Sequence, residues 1–212
     1  IRDVAVTGVQ TCALPIFKSF GYKVGSIDIN ESGASWNVSP ERREFIPSFS
    51  SAKAVGGAAI DEIMSLRPYT DVKSMLYDED GSWRHSKFNR RAMEALIKLC
   101  AFSSMNIIGP GKMFSSYRHM HHCIIENNDL IKKTSKKNAF IGWENLQRIA
   151  EETWGMEEWT RKELAMFTLE IVGSVDPESM ISPEIMLRFS NGNVKSVRSE
   201  EHTSELQSRL HL

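Results

Sequence analysis

Two stretches of helical period, parted by Gly109-Pro-Gly111, constrain this chain more than any other feature. The first is Arg91-Ala-Met-Glu-Ala-Leu-Ile-Lys-Leu-Cys-Ala-Phe102. The second is Met113-Phe-Ser-Ser-Tyr-Arg-His-Met-His-His-Cys-Ile-Ile125. Phe88, Ala92, Ala95, Leu96 and Leu99 recur at helical spacing and mark the buried face of a helix over 86–102. Glycine and proline cannot continue it, so the chain must break and start a second helix near Lys112. There Met113, Phe114, Tyr117, His121 and Ile124 share one face, with His119, His122 and Cys123 opposite.

Later segments repeat the pattern. Trp143, Leu146, Ala150 and Trp154 form a stripe, and Gly155 reads as a helix end. Residues 156–172 read as the next helix, apolar nearly all round in its last turns and stopped by Gly173. Asp176-Pro-Glu and Ser182-Pro-Glu carry helix-start signals, and Asn191-Gly-Asn193 reads as a turn.

Upstream, Tyr22-Lys-Val-Gly-Ser-Ile-Asp-Ile29 alternates like a strand, and Ala34-Ser-Trp-Asn-Val38 reads as the returning arm of a hairpin. Ser39-Pro-Glu predicts a short helix that Pro47 ends. Residues 51–66 read as a helix with Ile60, Ile63 and Met64 as its stripe. Gly56-Gly57 weakens it by about 1 kcal/mol per glycine, and such paired small residues let another backbone come close. Thr70 then caps a short helix over 71–77. The expected fold is mainly α: a helical domain over 51–197, preceded by a small β-hairpin and short helix over 17–50.

The two ends read differently. Val6-Thr-Gly-Val-Gln-Thr-Cys-Ala-Leu-Pro-Ile16 resembles the translation of a sequencing adapter. Arg198-Ser-Glu-Glu-His-Thr-Ser-Glu-Leu-Gln-Ser208 resembles the same adapter read from its other strand. Residues 1–16 and 198–212 are therefore expected to be foreign, and the rest to be a piece of a longer protein.

Charge and composition exclude several classes. Lys and Arg number 26 against 27 Asp and Glu, so no global field draws the chain to nucleic acid or membrane. No run approaches the ~18 apolar residues of a membrane span. Three cysteines make no disulfide framework, which fits an intracellular, cytoplasmic setting. Asp78-Glu-Asp-Gly81 lacks the spacing of a calcium loop and reads as a solvated turn. The chain contains no phosphate-cradling loop, dinucleotide fingerprint, nucleophile elbow or His-Glu-x-x-His sequence. No cofactor and no catalytic residue are therefore expected.

Two clusters remain as candidate sites. Lys132, Lys133, Lys136 and Lys137 form a basic loop that, with Lys112 and Arg118, presents cations to the phosphates of RNA or to acidic lipid. The bland reading is a solvated loop. His119, His122 and Cys123 have spacings that place them together on a helix, a partial zinc set, against the reading of a polar or packing face. Trp143, Trp154 and Trp159 read as core rather than as a stacking surface.

Arg67-Pro-Tyr-Thr-Asp-Val72, Leu96-Ile-Lys-Leu-Cys-Ala-Phe-Ser-Ser104 and Tyr117-Arg-His resemble segments of rhabdovirus matrix proteins. That resemblance implies a viral structural protein. The expectation is thus a non-enzymatic structural or interaction domain, of capsid, nucleocapsid or matrix type, with protein partners or self-association. The alternative is a helical piece of an enzyme such as a polymerase, its catalytic motifs lying outside this chain.

Overall fold

The computed structural model describes residues 20–133 and 138–174, and the fold is mainly α. Three short strands come first: β1 (Lys23–Val24), β2 (Asn37–Ser39) and β3 (Glu44–Ile46). The expected pairing of Tyr22–Ile29 with Ala34–Val38 does not form. Instead β2 and β3 pair antiparallel, with Val38 opposite Phe45, and β1 joins the far side of β3 in parallel. Ser39-Pro-Glu therefore opens the tight turn of this hairpin, not a helix. The Arg43 N–H donates to the Pro40 carbonyl at 3.2 Å, and the phenylalanine and isoleucine that follow suit a strand.

A 3-10 turn, Phe49–Ser51, leads into α1 (Gly57–Ser65). The glycine pair thus breaks the helix expected over 51–66, and only its second part is regular. Then come α2 (Val72–Leu76) and α3 (Arg90–Lys98). Asp71 and Asn89 are their caps, accepting from the N–H groups of Ser74 and Ala92. The start of α3 lies later than the apolar period suggested, because the backbone of 86–88 has another partner, described below.

Next is α4 (Tyr117–His121), capped by Ser116, which continues as a π-helical turn, His122–Glu126. Two longer helices, α6 (Ile141–Glu152) and α7 (Arg161–Val172), follow the single turn of α5 (Asn128–Ile131). Thr160 and Glu163 make a reciprocal capping box, so α7 starts five residues later than its apolar pattern predicts. It ends on Gly173 in the left-handed region, as expected (φ 88°). It is not buried all round: Ala165 and Ile171 face inward, while Met166 and Leu169 are about half exposed.

One core joins these elements. Phe49, Phe88, Phe102 and Phe114 are its largest fully buried rings, packed with Ile63, Met75, Leu96 and Met120. The second helix of the central pair turns a different face inward from the one its spacing implied. His119, Met120, Cys123 and Ile124 are fully buried, whereas Tyr117 and His121 are half-buried. The π turn adds one residue to the helical circuit and rotates the face after it.

A buried polar latch ties the N-terminal segment to this core. Asp28 accepts from the Ser103 hydroxyl at 3.0 Å, the Ser104 N–H at 3.0 Å and the Ser104 hydroxyl at 2.7 Å. Asn30 pairs in both directions with the backbone of Tyr69, and Arg67 donates to the carbonyls of Ile29 and Ser32. Phe49 lies beneath that guanidinium, whose carbon is 5.1 Å from the ring centroid. Among the described residues no helix is long and apolar enough to cross a membrane. Lys136, Lys137, the Asp176 and Ser182 helix starts, the Asn191 turn and the two adapter-like ends lie outside the described residues.

Candidate nucleic-acid interface

Between the Phe49–Ser51 turn and α1 the chain bends at Gly56-Gly57, a glycine hairpin that gives α1 an unusual N-terminus. The N–H groups of Ala59 and Ile60 both return to the Gly56 carbonyl, which starts the helix. Gly56 sits in extended conformation at the cap position and supplies no side chain to it. Side chains do close the first turns of α2, α3, α4 and α7. A Cβ added at Gly56 or at Gly57 would meet nothing within 4 Å. The two glycines are therefore not required by close packing here. They leave the first-turn amides of Gly57 and Ala58, both exposed, open to an approaching anion.

The other end of α1 is anchored by an anion of the protein itself. The Glu62 carboxylate accepts from the consecutive N–H groups of Ser86, Lys87 and Phe88, and from the Ser86 hydroxyl at 3.0 Å. Burial would raise its pKa, but these donors outweigh burial and hold it down at about 2. The anchor holds exposed Lys87 against α1, and the exposed Arg90 and Arg91 follow it at the start of α3.

The sequence-derived basic residues divide among three places. Lys132 is half-buried, its ammonium 4.5 Å from the centroid of the Trp83 ring. Burial lowers its pKa, and the nearby charge of Arg90 lowers it further. Lys132 and the exposed Lys133 after it thus extend the α3 shoulder. Lys112 is exposed in the loop between Gly109 and Phe114, and Arg118 is exposed on α4, beside a separate pocket. The shoulder residues Lys87, Arg90 and Arg91 were not among the sequence-derived candidates.

His119 and Cys123 both reach the Thr153 hydroxyl, Cys123 Sγ at 3.9 Å, while His122 turns away to Glu126, so the three do not form one ligand set. His119 Nδ1 accepts from the Ser115 N–H at 3.0 Å, which puts the proton on Nε2. Nε2 then donates to the Thr153 hydroxyl at 3.0 Å, which in turn donates to the Ile149 carbonyl at 2.6 Å. Burial lowers the His119 pKa, in keeping with this neutral ring. His122 Nδ1 lies 2.7 Å from Glu126 Oε2. Burial raises the Cys123 thiol to about 11, far from the thiolate that metals bind. Among the described residues no group of three His, Cys, Asp or Glu side chains could hold a metal ion. Trp143 is half-buried against Tyr77, while Trp154 is 46% exposed.

Comparison with known proteins bears on the hairpin. No curated protein sequence matches the chain. The family described as "Helix-hairpin-helix motif" matches over residues 21–108, a span that contains the glycine hairpin, α1 and the start of the α3 shoulder. A match of this kind suggests a nucleic-acid-binding or interaction domain.

Proposed function

We propose that the segment 20–133 grips the phosphate backbone of nucleic acid without reading its sequence. The amides of Gly57 and Ala58 receive one phosphate at the helix N-terminus. Lys87, Arg90, Arg91, Lys132 and Lys133 contact those that flank it. The observation that carries this reading is the coincidence of the helix-hairpin-helix match with an open, uncapped Gly56-Gly57 turn. Backbone amides and lysines meet phosphate oxygens, not base edges, so such a grip is indifferent to sequence.

Two settings are compatible with it. One is a structural protein of capsid, nucleocapsid or matrix type. The other is a nucleic-acid enzyme such as a polymerase, whose catalytic residues lie beyond this chain. Protein partners of either kind would be met by other surfaces.

Fluorescence anisotropy on duplex and single-stranded oligonucleotides, titrated with salt, is the test. Binding weakens as salt rises, with a slope near −0.9 per phosphate neutralised on duplex. Replacing both Lys87 and Arg90 by Gln reduces that slope by roughly two. Affinity that ignores salt, or that survives this pair of changes and Gly57→Asp together, overturns the proposal.

A further inference from the structure

Away from the hairpin, α3, α4 with its π turn, the 156–159 segment and α7 enclose a pocket of about 380 Å³. That lies within the ~300–1,000 Å³ usual for small-molecule sites. One wall is aromatic. The Trp159 ring meets Phe167 at 5.0 Å between centroids and His121 at 5.6 Å, both near edge-to-face. Met156 extends that wall.

The rest of the lining is charged, Lys98 lying 5.1 Å from the Phe167 ring centroid, and most of these charges are already matched. Lys98 donates to Glu94 at 2.7 Å. Glu126 faces two imidazoles: His122 Nδ1 at 2.7 Å and His121 Nδ1 at 3.3 Å. The second spacing is i to i+5, so the π turn is what brings both rings onto one carboxylate, and such turns recur at functional sites. Glu158 accepts from the N–H groups of Tyr117, Arg118 and Trp159, so the start of α4 is filled by the protein's own anion. Arg118 is left over. Its guanidinium has no hydrogen bond or ion pair among the described residues, only the weaker field of Glu163.

An aromatic wall beside one unmatched guanidinium suits a ligand with an aromatic ring and an attached anion. We infer that this pocket binds a nucleotide, its base against Trp159 and its phosphate on Arg118. Aromatic side chains hold bases of any identity because every base has a π face. The limb that leads to the glycine turn touches α7, the helix that carries Phe167. The Lys53 N–H, on the limb before the glycine turn, donates to the Ile171 carbonyl at 3.0 Å. Phe167 lies one turn earlier on that helix, about 6 Å along its axis.

Calorimetric titration of the full chain with adenosine 5′-monophosphate, adenosine and inorganic phosphate tests this. The monophosphate is expected to bind with Kd below about 1 mM, and each of the other two at least about tenfold more weakly. Trp159→Leu abolishes monophosphate binding and Trp159→Phe retains it. Arg118→Gln, at an exposed position that leaves the fold intact, weakens it about tenfold. Three results overturn the inference: no monophosphate binding below about 10 mM, phosphate alone binding as well as the monophosphate, or affinity unchanged in Arg118→Gln. Gly57→Asp separates the two sites. It leaves monophosphate binding untouched even if duplex binding proves to have nothing to do with the hairpin.

Discussion

At the scale of single residues, Glu62 and His119 do the most with one side chain each. Glu62 satisfies three successive amides, those of Ser86, Lys87 and Phe88. Hydrogen bonds to a charged group contribute about 1.5–3 kcal/mol, so Glu62→Gln is expected to lose an amount of that order in urea unfolding at pH 7. Its pKa falls from about 4.3 in the unfolded chain to about 2 in the folded one. The stability it provides is therefore complete above pH ~4.3 and is lost as pH drops toward 2, and the variant should lack that fall. His119 works at higher pH. Burial lowers its folded pKa, so its contribution is whole above the unfolded value near 6.5 and declines as acid protonates the unfolded chain first. Replacing His119 with Gln should flatten the stability profile just below pH 6.5, read by unfolding midpoints across that range. Neither role was legible in the sequence. The Glu62 donors lie some 25 residues downstream, and the partner of His119 is the residue that caps the C-terminus of α6.

Among the elements, α1 and α6 show two opposite uses of glycine. At Gly57 open space surrounds the missing side chain. Gly57→Asp should therefore keep the fold, and its charge at the helix start should stabilise by about 0.3–1 kcal/mol. The same charge repels phosphate and should lower duplex affinity about tenfold. A gain in melting temperature with a loss of binding is the expected signature; loss of both would mean the turn is structural. At Gly142, an added Cβ would collide with the Ile131 carbonyl and crowd that of Lys133. Gly142→Ala should cost about 1–3 kcal/mol by thermal or urea unfolding, because the α5–α6 approach allows no side chain. Pattern reading found a weak point at Gly56-Gly57 but could not say whether space or contact made it so. It misread Ser39-Pro-Glu as a helix start because the capping signal is local, whereas the competing β3 pairing is not.

Across the whole molecule, near-neutral charge makes any nucleic-acid contact a local affair of hairpin and shoulder. The adapter-like reading of the ends predicts that removing 1–16 and 198–212 moves the melting midpoint by no more than about 2 °C. A larger drop would show those residues to be part of the folded body. The sequence by itself determined the helical character of the chain, the broken central helix pair and the stop at Gly173. These follow from periodicity, proline and backbone sterics, all of which act within a few residues. Only the tertiary structure decided which face of α4 is buried, where Glu62 finds its donors, and that Arg118 stands beside Trp159. Those depend on contacts between segments tens of residues apart, and their geometry leaves no local trace in the order of the amino acids.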